Sequence, residues 1–285
     1  MNRAAISCLL LSLLASAASG QSSQTIAPQI VHISSSNLRL KAFLWKPPGA
    51  GPFPAVLFNH GSGEGDAAHT AGMQITEAAQ RLAPIFLKHG YAFLYLFRRG
   101  QGPSADQALF MQEVLQHEET TKGKNAHQRL QFVLLTTEQL EDVTAALHFL
   151  KTMPQVDPKR IAVARHSFGG QLTLLLAEQD DTIRAAVTFA AAAGSWQQSP
   201  ELRERLLTAV RKTSVPIMLI HAANDYDTTP GSTLAAELDR LHKPYALKIY
   251  PRVGQTPDDG HNLLYLAAPQ WEADVFIFLD RYVKP

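Results

Sequence analysis

Short apolar runs alternate with amphipathic segments along most of the chain. The apolar runs predict buried strands, and they lie near residues 54–59, 91–97, 160–164, 183–190, 215–221 and 245–250. The amphipathic segments predict helices near residues 75–89, 139–150, 171–178, 200–211, 233–241 and 270–282. Strands that are apolar on both faces and alternate with helices predict an α/β fold, in which a mostly parallel sheet is covered by helices on both sides.

Two stretches depart from this alternation. Residues 30–45 alternate apolar and polar positions and are followed by Pro47-Pro48, which predicts an antiparallel hairpin at one edge of the sheet. Residues 101–138 are polar with some helical character, and they form either a lid over a site or a surface insertion. Because no internal repeat or long low-complexity linker follows residue 25, we expect one domain over residues 26–285.

The first twenty residues differ in composition from the rest. One positive charge, at Arg3, precedes an almost wholly apolar stretch over residues 4–15, and small residues follow up to Gly20. This order predicts a secretory signal peptide over residues 1–20 that is cleaved within residues 17–20. A membrane anchor fits less well, because a span needs about 20 apolar residues. We therefore expect a secreted or periplasmic protein without a membrane span after removal of the signal.

Cysteine content and net charge exclude several classes of chemistry and partner. Cys8, the only cysteine, lies inside the predicted signal and precedes most of its apolar stretch, which does not fit a lipidation site. The mature chain would therefore contain neither disulfides nor a thiol nucleophile. A formal net charge of +1 over 285 residues gives no reason to expect a nucleic-acid partner.

A serine follows the strand predicted over residues 160–164. The segment reads Arg165-His166-Ser167-Phe168-Gly169-Gly170 and leads into a predicted helix. A serine on a sharp strand-to-helix turn, followed by small residues, is typical of a nucleophile elbow, so Ser167 is the predicted nucleophile. Ser62 also lies between glycines, but no such elbow follows it.

An acid and a histidine follow Ser167 in the order that this arrangement requires. Asp225 comes just after the strand predicted over residues 215–221. His261 ends the loop after the strand predicted over residues 245–250. In this hypothesis His261 takes the proton from Ser167, and Asp225 orients His261 and stabilises its protonated form. Asp227 is the alternative acid, because the register of a loop cannot be derived from sequence.

Two backbone amides should stabilise the negative charge that develops on a substrate carbonyl. One is the amide of Phe168, directly after the nucleophile. The other is expected from the segment His60-Gly61-Ser62-Gly63, most simply the amide of Ser62, where glycine allows a close approach of the backbone.

Other polar residues near these positions have simpler interpretations. His60, His166 and His221 are expected to pack and to form structural hydrogen bonds. Arg98 and Arg99 could bind a carboxylate substrate, but such arginines more often tie loops together. Asp258 and Asp259 lie near His261 without a compact ligand pattern, so we expect neither a metal nor a cofactor.

Together these segments resemble the dienelactone hydrolase and prolyl oligopeptidase-like branch of the α/β hydrolases. The resemblance covers about residues 30–284 and rests on the joint order of the segments at residues 60–63, 98–104, 140–143, 156–160 and 166–170 and of the Asp225 and His261 loops. It implies an α/β-hydrolase fold and cofactor-independent hydrolysis of an ester, lactone or peptide bond. True dienelactone hydrolases use a cysteine nucleophile, so the lactone substrate is not carried over.

One residue departs from the family pattern. Arg165 stands two positions before the serine, where the family has a small residue, usually glycine. Its side chain could crowd the turn, bind a substrate anion or pair with a carboxylate. Arg165 and His166 are therefore candidates for contacting the substrate.

These observations lead to an expected function and two alternatives. We expect a serine hydrolase that cleaves a small-molecule carboxylic ester with a small or medium acyl group through an acyl-enzyme on Ser167. The first alternative is a small-peptide or aminoacyl hydrolase. The second is a non-catalytic protein that keeps the fold and a pocket, which Arg165 suggests. Specificity should depend on residues 101–138 and on the loop near residues 195–200, neither of which carries a recognisable signature.

Overall fold

A computed structural model of the protein describes residues 27–62 and 73–284. The predicted signal peptide over residues 1–20, with Cys8, and Gly63 of the predicted oxyanion segment lie outside the described residues. The described strands form one sheet of eight in the order β1-β2-β4-β3-β5-β6-β7-β8. Their bounds are Gln29–Ser35 (β1), Leu38–Trp45 (β2), Phe53–Asn59 (β3), Ala92–Leu96 (β4), Val156–His166 (β5), Ala185–Phe189 (β6), Ile217–Ala222 (β7) and Tyr245–Tyr250 (β8).

The pairing of the strands confirms the predicted α/β-hydrolase fold. Strands β3 to β8 pair in parallel, whereas β1 pairs antiparallel to β2 and β2 pairs antiparallel to β4. The predicted hairpin is therefore present at one edge of the sheet. Because parallel strands point the same way, the loops that follow β3, β5, β7 and β8 all emerge at one edge.

The helices cover both faces of the sheet, as the apolar strands require. Their bounds are Ile75–Lys88 (α1), Met111–Lys122 (α2), Lys124–Thr136 (α3), Glu138–Thr152 (α4), Phe168–Gln179 (α5), Pro200–Lys212 (α6), Thr229–Arg240 (α7), Pro257–His261 (α8), Leu263–Leu266 (α9) and Ala268–Val283 (α10). On one face Leu147, Leu175 and Leu206 bring α4, α5 and α6 into the core. On the other face Phe86 of α1 and Trp271 of α10 are fully buried.

The polar segment over residues 101–138 folds into a short 3-10 helix at Gly102–Gln107, followed by α2 and α3. Helix α3 contacts α5, the helix that follows Ser167. The segment thereby brings its second long helix to the edge of the sheet where the predicted site residues lie. Within residues 27–62 and 73–284, no helix is both long and apolar enough to cross a membrane.

The region around His261 differs from the expected loop. His261 ends the short helix α8. Thr256 accepts a hydrogen bond from the Asp259 amide, and the Asp259 carboxylate accepts one from the Thr256 amide, while Pro257 occupies the first turn. This reciprocal capping satisfies the first amides of the turn, so five residues suffice for a helix. Asp259 is thus a capping residue.

Candidate active site

Ser167 lies on a strained turn between β5 and α5. Its backbone has φ +54° and ψ −120°, a conformation that costs a residue with a side chain about 1–3 kcal/mol. The surrounding backbone packs closely enough to hold it there. A Cβ added at Gly169 would lie 2.5 Å from the His60 carbonyl oxygen, and one at Gly170 would lie 2.7 Å from the Ala191 Cβ. Both glycines are therefore required by close packing behind the turn.

The structure brings Ser167, His261 and Asp225 together, although they come from three separate segments that follow β5, β7 and β8. His261 Nε2 lies 2.9 Å from Ser167 Oγ, and His261 Nδ1 lies 2.7 Å from Asp225 Oδ1. A carboxylate can only accept, so Nδ1 carries the proton and Nε2 is free to accept from the serine hydroxyl. This is the geometry in which a histidine can take a proton from a serine as the serine attacks.

Asp225 is held by more contacts than the sequence predicted. Its second oxygen accepts a hydrogen bond from His221 Nδ1 at 2.8 Å, and its first also accepts from the Tyr226 amide at 2.8 Å. Burial by itself raises the pKa of Asp225, but the hydrogen bonds from His221 and His261 outweigh burial and hold that pKa well below its usual range. Asp225 is therefore a carboxylate at neutral pH.

The alternative acid, Asp227, lies apart from His261. Its carboxylate accepts from the Thr229 amide at 2.8 Å and from the Gln197 side chain at 2.9 Å. His221, which was expected to pack and to form structural hydrogen bonds, has Asp225 as its hydrogen-bond partner. The signal that could have identified it is its position at the end of β7, four residues before the acid.

The backbone of the predicted oxyanion segment lies beside Ser167. A Cβ added at Gly61 would lie 3.2 Å from the Ser167 Cβ. Arg98 donates to the carbonyl oxygens of His60 and Gly61, and Gln101 donates to that of Ser62 at 2.9 Å. The N–H and C=O of a trans peptide point in opposite directions, so the Ser62 amide points away from Arg98. Both Ser62 and Phe168 line the cavity in front of Ser167.

Arg98 and Arg99 are each held in place by hydrogen bonds to other residues of the protein. Arg98 is fully buried and also binds Gln139 at 2.7 Å, and burial lowers its pKa to about 10. Arg99 binds Asp142 at 2.7 Å and Glu141 at 2.9 Å. Both arginines tie loops together, which agrees with the structural interpretation of their sequence positions, and neither lines the cavity.

Arg165 lies in the protein core, whereas the neighbouring His166 lines the cavity. Arg165 is fully buried, does not line the cavity, and forms no hydrogen bond with any residue that the structure describes. Burial, together with the nearby charge of Arg98, lowers the pKa of Arg165 well below its usual value. Its side chain is thus placed away from any substrate in the cavity. His166 does line the cavity, and its Nε2 donates to the His261 carbonyl at 2.8 Å. Burial lowers the pKa of His166 to about 3, so it is neutral.

A cavity of about 370 Å³ opens in front of Ser167. The residues that line it come from the oxyanion segment, α3, the elbow, the loop before α6 and the loops around Asp225 and His261. They are Gly61, Ser62, His127, Gln128, Gln131, His166, Ser167, Phe168, Gln171, Ala192, Gly194, Ser195, Gln198, Tyr226, Asp258, His261 and Asn262. Over the described ranges, no group of three or more histidine, aspartate or glutamate side chains is arranged to hold a metal ion.

Comparisons with known proteins agree with this architecture. Residues 40–256 match the sequence model of the family described as "Dienelactone hydrolase family". The quorum-quenching protein AidA of Acinetobacter baumannii (strain MDR-ZJ06) is 26% identical over 162 residues, which are 57% of this chain and 43% of that protein. The chain thus spans less than half the length of this curated relative.

Solved structures with low sequence identity share the fold. An acylaminoacyl peptidase from Pyrococcus horikoshii has a TM-score of 0.64 at 20% identity, over 90% of this chain and 42% of that one. The esterase Pf2001 from Pyrococcus furiosus has a TM-score of 0.62 at 16% identity, over 90% of both chains. The similarity therefore extends over most of the esterase, but only over part of the peptidase.

Proposed function

Because the chain belongs to the dienelactone hydrolase family and is a hydrolase, we propose that it is a serine hydrolase that cleaves carboxylic esters through an acyl-enzyme on Ser167. The observation that carries the proposal is the continuous hydrogen-bonded chain from Ser167 Oγ through both ring nitrogens of His261 to Asp225. The two distances, 2.9 and 2.7 Å, are already suited to proton transfer from the serine.

The proposed reaction has two halves. Ser167 Oγ bonds to the ester carbonyl carbon while His261 Nε2 takes the hydroxyl proton, and the amides of Phe168 and Ser62 bind the resulting oxyanion. The C–O bond to the alcohol then breaks, and the alcohol leaves with the proton from His261. Water, deprotonated by His261, attacks the acyl-enzyme in the second half and releases the acid and Ser167.

We favour an ester over a peptide as the substrate, because this chain matches most of an esterase but less than half of a peptidase. The Pyrococcus furiosus esterase covers the same extent as this chain, whereas the acylaminoacyl peptidase is more than twice as long as the matched part. A cavity of about 370 Å³ fits a small or medium acyl group and its alcohol. Hydrolysis of a short peptide or aminoacyl amide is the second candidate, supported by the similarity to the peptidase.

A fluorophosphonate probe tests whether Ser167 is the nucleophile. We expect the protein to be labelled and to hydrolyse 4-nitrophenyl butanoate, and we expect Ser167→Ala to lose both properties. Ser232→Ala is the matched control, because Ser232 is exposed on helix α7 and does not line the cavity. If the folded protein is not labelled, the non-catalytic alternative is favoured. If labelling is lost in Ser62→Ala instead, Ser62 is the nucleophile.

Export is a separate part of the proposal. The composition of residues 1–20 supports a cleaved signal and a secreted or periplasmic protein. Mass spectrometry of the protein from its native host should find an amino terminus between Ala18 and Gln21. An intact Met1 on a membrane-bound form would contradict cleavage.

A further inference from the structure

Four glutamines line the cavity on the side of α3, α5 and the loop before α6. These residues, called the glutamine wall below, are Gln128, Gln131, Gln171 and Gln198. Gln128 and Gln131 are three positions apart on α3 and so lie on the same helix face. Gln171 is buried and donates to Ser195 Oγ at 3.1 Å. The two segments from which the sequence analysis expected specificity thus meet in one wall.

A carboxamide is neutral, yet it both donates and accepts hydrogen bonds. Because Gln171 uses its amide nitrogen on Ser195, its amide oxygen and the Ser195 hydroxyl hydrogen remain for a ligand. An aliphatic chain against this wall would remove water from several polar groups without replacing the lost hydrogen bonds. Such unpaired groups are the feature by which a polar site rejects an apolar analogue.

The charges around the cavity disfavour an anion as the ligand. No lysine or arginine is among the described residues that line it, and Arg98 and Arg165 are fully buried elsewhere. The acidic lining residue, Asp258, accepts a hydrogen bond from the Tyr226 hydroxyl at the His261 side. A carboxylate at the end of an acyl group on the glutamine wall would therefore find no lysine or arginine to pair with.

The proposed mechanism assigns this wall to the acyl group. His261 must protonate the leaving alcohol, so the alcohol lies beside His261 and the neighbouring Tyr226 ring. The centroids of these two rings are 4.5 Å apart. The wall of α3 and α5 is left for the acyl part, which stays attached to Ser167. We propose that the acyl group of the substrate carries an uncharged hydrogen-bonding end, a carboxamide or hydroxyl. This inference rests on the proposed ester hydrolysis at Ser167.

Three 4-nitrophenyl esters of nearly equal shape test it. Their acyl groups are 5-carbamoylpentanoyl, 6-methylheptanoyl and 5-carboxypentanoyl, which end in a carboxamide, two methyl groups and a carboxylate. After correction for spontaneous hydrolysis, we expect kcat/KM for the carboxamide to exceed that for each of the others by about tenfold, the value of one or two net hydrogen bonds. Equal values, or a preference for either of the other esters, would overturn the inference.

Variants of the wall link that preference to its residues. Gln131→Leu and Gln128→Leu should each reduce the ratio of kcat/KM for the carboxamide ester to kcat/KM for the 6-methylheptanoyl ester by about three- to tenfold. Turnover of the 6-methylheptanoyl ester should be kept or raised. Gln116→Leu is the matched control, because Gln116 is exposed on the neighbouring helix α2 and does not line the cavity. If the variant that carries both Gln128→Leu and Gln131→Leu keeps the wild-type ratio of kcat/KM values, the preference comes from other residues and the proposal is contradicted.

A binding measurement separates this inference from the proposed chemistry. Calorimetry on Ser167→Ala protein with the corresponding ethyl esters reports the preference of the wall without any turnover. Tighter binding of the carboxamide ester supports the inference even if the wild-type protein fails to hydrolyse esters. Binding that is equal for all three esters refutes it even if Ser167 proves to be the nucleophile.

Discussion

The two sides of the cavity are held in different ways. On the reacting side, defined by Ser167, Asp225 and His261, every side chain has a fixed partner, and the Asp225 carboxylate is fully buried. On the glutamine wall, Gln128 and Gln131 are half-buried and Gln198 is exposed. Gln171 is the buried member, and it is tied to Ser195.

In the proposed mechanism, this difference separates the reaction from the selection of the substrate. Proton transfer depends on distances that must hold to within a few tenths of an ångström. The reacting side is accordingly buried, and hydrogen bonds hold each of its side chains in place. Recognition of an acyl group tolerates adjustment, so its residues can lie on a helix and a loop at the surface. Substitutions on the reacting side should therefore change turnover by orders of magnitude, and those on the wall should change the ranking of substrates.

The largest effect is expected at the centre of the reacting side. Ser167→Ala and His261→Ala should each reduce kcat by about 10⁴-fold or more, since they remove the nucleophile or its base. Steady-state kinetics on protein with an unchanged melting temperature provides the measurement. A reduction of only a few-fold in either variant would show that the two sides do not differ and that the reaction uses other groups.

The next comparison distinguishes two neighbouring acids. Asp225→Asn should reduce kcat by about 10³- to 10⁴-fold, because an amide in place of the carboxylate favours the wrong tautomer of His261. Asp227→Asn is the matched control, since Asp227 contacts Thr229 and Gln197 instead. We expect it to stay within a few-fold of the wild type. The opposite ranking would transfer the role of the acid to Asp227.

A smaller effect should come from behind the oxyanion segment. Arg98→Lys cannot reproduce the fork that binds the carbonyls of His60 and Gly61, so the Ser62 amide should lose its fixed orientation. We expect kcat to fall by about 10- to 100-fold with little change in KM, because the amide acts on the transition state. Arg99→Lys, which affects the Asp142 pair, should lower the melting temperature only. Equal losses of kcat in both variants would argue for a purely structural role.

The smallest effect on turnover, with a gain in stability, is expected at Arg165. A buried cation without a described partner is costly, so Arg165→Met should raise the free energy of unfolding by about 1–4 kcal/mol and leave kcat/KM within a few-fold. Denaturant titration measures the first quantity. Carboxylate-bearing and neutral esters should respond alike in the kinetic assay. A loss of stability would mean that Arg165 has a partner in the folded protein, and a loss confined to the acidic ester would make it a specificity residue.

Much of the fold could be predicted because it follows from local periodicity. An apolar run of five to seven residues is buried on both faces wherever it pairs, so the strands at β3, β4 and β7 could be recognised in the sequence. The elbow could also be recognised, since a strand, a serine and two glycines are contiguous. Helix α8 was missed, because five residues show no periodicity, although Thr256, Pro257 and Asp259 carry its capping signal.

The sequence by itself determined the order of the strands and of the long helices outside residues 101–138, and the chemical identity of the proposed reacting residues. Tertiary structure alone decided that Asp225 and not Asp227 meets His261, that His221 binds the second oxygen of Asp225, and that α3 brings its glutamines to the cavity. It also decided that Arg165 turns into the core and His166 into the cavity. The physical reason is the range of the interactions. A turn or a period is set by residues a few positions apart, whereas these contacts join distant segments whose separation depends on how the helices pack against the sheet.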